Sequence, residues 1–282
     1  MDTISCGMAI SWAMECYEHG LLRKEEVDNM DLSWGKAETI TALIHKIADR
    51  SGVGRLLAEG VRKASAQLGR GSNRYAMHVK GTEISGQDGR SHKSVGLTHA
   101  IGARGADHLR SLCTVDEMAY RDVAARRFGK DNVDDICSLL SEKKKSLIVK
   151  DQEDLFPIAD SLIICKYGTM WPPIFYFDFI AKVLPPLTGL KRFGSVSEMR
   201  IIAERIVNLR RCFNHREGLR RKDDTLPRRF TKEAMPQGPG KGQVVNLKLM
   251  LDEYYEIRRW DSLTGIPKKD ELRRLGLEFA SF

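Results

Sequence analysis

The sequence has no apolar run long enough to cross a membrane. Across its 282 residues, charge or proline interrupts each hydrophobic stretch within a few positions. A secretory leader is not expected either. Residues 1–20 carry Asp2, Glu15 and Glu18 and lack a basic start followed by an apolar segment. These absences point to a cytoplasmic protein with no membrane partner. None of the six cysteines (Cys6, Cys16, Cys113, Cys137, Cys165 and Cys212) forms a Cys-x-x-Cys pair, and no spacing suggests zinc. In a reducing compartment they are expected to stay thiols, most of them as small buried hydrophobes. A single cysteine cannot hold a metal cluster alone. Internal repeats and low-complexity tracts are also missing.

What is present suits a folded protein of one or two domains. Hydrophobic residues make up 42% of the chain and charged residues 30%. Lys and Arg number 46 against 38 Asp and Glu, a net charge of +8, and the pI is near 9.2. The positive charge is spread out, with concentrations at Lys143-Lys144-Lys145 and from Arg205 to Arg229. No helical face alternates arginine with aromatics, so nucleic acid is not the expected partner. A solvated basic surface, or one that meets an acidic protein, is expected instead.

Helical periodicity dominates. Residues 4–20 place Ile4, Met8, Ile10, Met14 and Tyr17 on one side and stop at Gly20. Residues 36–50 repeat the pattern, and residues 53–68 predict a third helix ending at Gly69. From Arg70 to Gly105 glycine, serine and histidine become frequent, with a possible short strand over Tyr75–Lys80. Helices are then expected over 115–128, 133–149 and 155–167. An aromatic helix over 174–183 is bracketed by Pro172-Pro173 and Pro185-Pro186. A further helix over 197–213 has Ser195 and Glu198 as a capping pair. Residues 214–245 should be irregular, and two last helices fall near 242–258 and 268–275. The expected class is all-α and multihelical, with long functional loops and little strand. The expected division is residues 1–75 as the remainder of one helical domain and 76–282 as a second with cofactor-facing loops.

Several short stretches could carry chemistry, though each has a plainer explanation. Asp160 and Cys165 read first as a helical aspartate near a buried cysteine. Alternatively, the carboxylate could bond ring amines and the thiolate could bind iron. Asp2 reads first as a helix cap. His78, Lys80, Asp88, Arg90 and the run Arg104-Gly105-Ala106-Asp107-His108 gather imidazoles, cations and carboxylates in a glycine-rich segment. Of the seven histidines, His108 is singled out as a group able to exchange a proton near neutral pH. The run from Asn208 to Arg229 alternates Arg with Asp and Glu, the pattern of loops tied to helix ends by ion pairs.

Taken in order, these stretches resemble the aldehyde ferredoxin oxidoreductase family. The matching segments are DTISCG, GRLLAEGVRKAS, HVKGTEIS, GARGADHLR, DSLIIC, NLRRCFNHREGLRRKDDTLPRR and the closing YYEIRRWDSLTGIP and LRRLGL, so that the resemblance runs from the first residue to the last. The resemblance implies the C-terminal helical domains of an enzyme that oxidises aldehydes to carboxylic acids and passes electrons to ferredoxin. It implies a tungsten (or molybdenum) ion held by two pterins, beside one [4Fe-4S] cluster. The family's Asp-x-x-Gly-Leu-Asp/Cys stretch falls on Asp160 to Cys165. Asp160 would then bond a pterin and Cys165 would be the fourth cluster ligand. Ile163 stands where glycine is usual, and Ile164 takes the leucine position. A second such stretch matches only at its end, Met1 and Asp2. His108 matches the pocket histidine, while His78, Lys80, Asp88 and Arg90 match a segment near the substrate channel, where Gly89 replaces a usual proline. In the family, three further cluster cysteines, a β-rich domain and a pocket glutamate lie upstream of these segments. The expectation is that another chain or a longer reading frame supplies them. Close alternatives are a subunit related to aromatic acyl-coenzyme A reductases, or a non-catalytic accessory protein or remnant.

Overall fold

The computed structural model describes residues 1–171 and 173–280; Pro172, half of one proline pair noted above, lies outside them. The chain is helical, with a single two-stranded sheet among the described residues. Among the described residues no helix is long and apolar enough to cross a membrane.

The chain opens with α1 (Thr3–Glu18), capped by Asp2, whose carboxylate accepts from the Ser5 N–H at 2.7 Å. Next come α2 (Ala37–Ala48), α3 (Gly54–Leu57) and α4 (Gly60–Leu68). The single helix expected over 53–68 is therefore broken. Gly60 adopts a positive φ of 77° and leans so closely on Glu83 that a Cβ would lie 2.7 Å from its carboxylate. The break allows Glu83 to accept from the Val61 N–H at 2.8 Å, placing a carboxylate at the N-terminus of α4. Its other oxygen accepts from Ser5 Oγ at 2.8 Å, which ties in α1. These helices bury one apolar cluster around Trp12, Leu43, Leu57 and Val61.

The strand expected near 75–80 is a short hairpin, β1 (His78–Val79) against β2 (Thr82–Glu83). Lys80 and Gly81, both at positive φ, form its two-residue turn. Then follow α5 (Lys93–Ile101), α6 (Arg121–Phe128), α7 (Val133–Cys137) and α8 (Lys145–Ser161). Every residue of α5 is buried. Gly89 packs its backbone on Gly96 of this helix, where a Cβ would stand 2.7 Å from the Gly96 Cα.

Helix α8 corrects the sequence reading in three ways. It begins at Lys145, after a loop, rather than continuing from residue 133. It runs without a break across residues 150–154, where two separate helices were expected, and it stops at Ser161 rather than running on to 167. The basic triplet is also not wholly solvated. Lys145 is fully buried, donating to the Ile136 carbonyl at 2.7 Å and standing 3.2 Å from the Asp116 carboxylate. Helix α6 begins only at Arg121, because Val115–Tyr120 turns back on itself with Ala119 at positive φ.

The chain continues with α9 (Tyr167–Met170), α10 (Phe177–Thr188), α11 (Val196–Arg216) and α12 (Arg228–Lys232), and closes with α13 (Leu247–Arg258) and α14 (Lys269–Arg274). Both prolines of the Pro185-Pro186 pair fall inside α10 instead of ending it. Ser195 caps α11, as the sequence suggests. Helices α5, α11 and α13 pack on α8 around a second core that includes Leu97, Tyr254, Tyr255 and Trp260. Ion pairs seal this packing. Arg258 is buried between Glu153 and Asp154 of α8, 2.5 Å from an Asp154 oxygen. The Asn208–Arg229 run behaves as its alternating charges suggest. Asp224, fully buried, meets Arg211 at 2.8 Å and Lys80 at 2.8 Å, and accepts from the Tyr255 hydroxyl.

Candidate functional site

The Asp160–Cys165 stretch is a helix end rather than a helix. Leu162 is the last helical-like residue, and Ile163 turns into the left-handed region at φ 57°. The Ile163 N–H donates to Asp160 O at 3.2 Å and the Ile164 N–H to Ala159 O at 2.9 Å. This is the Schellman pattern, in which glycine normally holds the left-handed position. Ile163 is 94% exposed, Ile164 half-buried, and the Cys165 thiol emerges at the surface. The carboxylate of Asp160 lies near the negative end of the α8 dipole. Two cations offset this: Lys166 at 3.0 Å and Arg110 at 3.3 Å.

Arg110 links this turn to His108. Asp107 is buried and accepts from the Leu109 N–H at 2.9 Å, Arg104 Nε at 2.7 Å and Arg110 Nε at 3.0 Å. Those bonds fix the short 3-10 turn that carries His108 (His108–Arg110). Lys166 donates to the Leu109 carbonyl at 2.9 Å and closes the connection. His108 is half-buried, and burial holds its pKa below the ordinary value against the pull of Asp107. Its ring meets His99 edge-on, with centroids 6.4 Å apart at 87°. His99 is fully buried and neither ring nitrogen has a hydrogen-bond partner; burial, then His108, lowers its pKa to about 4. Sequence reasoning passed over His99, because no helix was expected in the glycine-rich stretch that holds it and the residue belongs to no motif.

Asp2 stands apart from this surface at the start of α1; the Ser5 N–H bond is the main cause of its lowered pKa, with Arg104 a minor contributor. It borders a cleft of about 450 Å³ lined also by Met1, Cys6, Arg50, Gly60 and Glu83.

The other predicted residues lie elsewhere. His78 lines a separate cleft of about 530 Å³ with Thr225, Pro227 and Arg228. Burial, then Arg62, lowers its pKa. The Lys80 side chain is buried on Asp224 and the Ala100 carbonyl, the latter at 2.7 Å. Arg90 grips Asp88 at 2.7 Å and donates to the Glu233 carbonyl at 3.0 Å. So His108, Asp160 and Cys165 belong to one connected surface, whereas Asp2 borders a different cleft and His78, Lys80, Asp88 and Arg90 are dispersed. Among the described residues no group of three His, Cys, Asp or Glu could by itself hold a metal ion. The exposed Cys165 thiol and the two solvent-reaching carboxylates suit single contacts to a larger group held jointly with other residues.

The sequence of aldehyde ferredoxin oxidoreductases, domains 2 and 3, matches residues 1–277. Among curated relatives, a tungsten-containing aldehyde ferredoxin oxidoreductase from Pyrococcus horikoshii is 34% identical over 282 residues, covering 99% of this chain and 43% of the relative. The enzyme of that name from Pyrococcus furiosus is 35% identical over 279 residues, covering 98% of this chain and 43% of the relative. An aliphatic sulfonate oxidoreductase, WOR-like subunit, also from Pyrococcus furiosus, is 28% identical, covering 98% of this chain and 40% of its own length. In fold, the chain is similar to the active site complex BamBC of benzoyl coenzyme A reductase in complex with 1,5 dienoyl-CoA. That likeness has a TM-score of 0.73 at 22% identity, over 99% of this chain and 44% of the other. The chain thus spans less than half the length of the relatives it matches, and it belongs to the aldehyde ferredoxin oxidoreductase family, corresponding to domains 2 and 3.

Proposed function

We propose that this chain is the helical part of a cytoplasmic oxidoreductase that converts an aldehyde to its carboxylic acid and passes the electrons to a ferredoxin. In this reading the division near residue 75 separates the two helical domains. A further polypeptide segment, from this or another chain, completes the site. Asp2 and Asp160 bond the two pterins, with Ile164 lining the same turn, and Cys165 is one of the four ligands of a [4Fe-4S] cluster. When bound, the tungsten (or molybdenum) bis-pterin and the cluster supply the two-electron redox chemistry.

The chain's own residues handle position and protons. Oxidising an aldehyde with water releases two electrons and two protons. His108, kept neutral at pH 7 by burial, can accept a proton at its ring nitrogen. Asp107 holds the turn that aims it. Arg110 and Lys166 keep the Asp160 carboxylate oriented for ring-amine donors. In the same reading His78, Asp88 and Arg90 belong to a substrate channel away from the His108–Asp160 surface, with Lys80 only a buried support.

The observation that carries the reading is Arg110, which ties the His108 turn to Asp160 five residues before the exposed Cys165. The test is purification from the native host with whatever co-purifies, followed by aldehyde-dependent reduction of a viologen dye. Activity that His108→Asn lowers by roughly 100-fold or more would support the proton-transfer role. A folded assembly of chain and partner, inactive on any aldehyde, would overturn it.

A further inference from the structure

A cleft of about 420 Å³ opens between the 103–110 loop and α11. Its wall is apolar: Ile206, Leu209, Phe213 and Ala103, with Leu209 43% and Phe213 53% exposed. Its rim carries three arginines, Arg104, Arg110 and Arg210. Asn214 fixes the far wall by donating to the Ala103 carbonyl at 2.5 Å.

The arginines are not equivalent. Arg104 and Arg110 are bonded to Asp107, and Arg110 also reaches Asp160. Arg210 is half-buried and forms no hydrogen bond or ion pair with the described residues; it feels Arg110 as a like charge and Asp160 and Glu153 only through space. Those two carboxylates are already engaged, Asp160 by Arg110 and Lys166, and Glu153 by Arg258 and the Tyr254 hydroxyl. A half-buried guanidinium beside a second cation is costly without a counter-charge. Burial and Arg110 both push its pKa down, as expected for a cation lacking its anion.

We propose that Arg210, with Arg104 and Arg110, binds the carboxylate of a small organic acid whose apolar body lies on Leu209, Ile206 and Phe213. A planar guanidinium matches a carboxylate in a two-pronged bond. The apolar wall favours an acid with an aryl or branched alkyl body over a bare inorganic anion, which would leave the wall in water. This site shares Arg110 with the surface proposed above, but it uses only residues of this chain and no cofactor, so benzoate binding and aldehyde oxidation can fail separately.

The test is isothermal titration of the full chain with benzoate, with benzamide as its uncharged counterpart and with inorganic phosphate. Benzoate should bind saturably at one site, at least roughly tenfold more tightly than benzamide, the loss expected on removing a charged hydrogen bond. Arg210→Gln should weaken benzoate by a similar factor and Arg210→Lys by less. Neither should lower the thermal midpoint, because Arg210 has no bonded partner to orphan. Leu209→Ala should weaken benzoate and leave phosphate unchanged. Equal binding of benzoate and benzamide, phosphate binding as tight as benzoate, absence of saturable benzoate binding, or no change in Arg210→Gln would each overturn the assignment.

Discussion

Ile163 offers a clean perturbation, because a β-branched residue occupies a helix-end position whose geometry favours glycine. It sits at φ 57° after the last turn of α8, and the two Schellman hydrogen bonds form around it. For an L-residue the left-handed region costs about 1–2 kcal/mol. Its side chain is 94% exposed, so replacing it by glycine removes almost no buried area. Glycine loses more chain entropy on folding, which offsets about 0.5–1 kcal/mol of the gain. Ile163→Gly should therefore stabilise the chain by about 1 kcal/mol, a rise in Tm of roughly 2 °C at this length. The assay is urea unfolding followed by tryptophan fluorescence, with Ile163→Asn as an intermediate case. Ile164→Gly serves as the control: Ile164 is half-buried and is not at positive φ, so the same glycine should destabilise there. A lower midpoint for Ile163→Gly, or the same direction of change at both positions, would refute the strain argument.

Other expectations follow from buried charge, close packing and thiol exposure. Arg258→Met leaves Glu153 buried without its cation and Asp154 with Lys150 alone, and should cost about 3 kcal/mol in urea unfolding; a loss below 1 kcal/mol would contradict the pairing. Gly89→Pro, restoring the residue usual in the family, should destabilise through the 2.7 Å approach to Gly96; an unchanged thermal midpoint would show that the loop moves aside. Iodoacetamide at mild alkaline pH should alkylate Cys165 first. Cys6, Cys16, Cys113 and Cys212 are buried, and burial pushes the Cys16 thiol up to about 12; peptide mapping that finds Cys16 or Cys212 modified at the same rate would be inconsistent. His99 is buried neutral with a folded pKa of about 4 against an ordinary 6.5, so the unfolded chain binds the extra proton. The stability it confers is present above pH 6.5 and lost as pH falls towards 4, by on the order of 3 kcal/mol; His99→Leu should flatten that part of the curve, and an unchanged slope would argue against it.

The sequence was most legible where local rules and tertiary packing agreed. The Asp2 and Ser195 caps and the periodicity of α1 and α2 sufficed to place three helices. It misled where packing overrode local signals. Gly60 breaks a periodic segment to reach Glu83, and Pro185 and Pro186 sit inside a helix they were expected to end. The end of α8 was hidden because Ile163 stands where a glycine would have announced it. The basic triplet read as solvent-facing, yet Lys145 is buried through a partner 29 residues away in sequence, beyond any local rule. For the candidate site, Asp2, Asp160, Cys165 and His108 were visible as family-like stretches. The connection of His108 to Asp160 through Asp107 and Arg110 depended on the folded chain, as did His99 and the unpaired Arg210.

Elemental analysis of the chain purified from its native host with its partners tests the proposed cofactor arrangement most directly. The account predicts tungsten or molybdenum together with about four irons per assembly, and loss of the iron–sulfur absorbance in Cys165→Ser. A native complex that carries neither metal, or that keeps its cluster in Cys165→Ser, would contradict it.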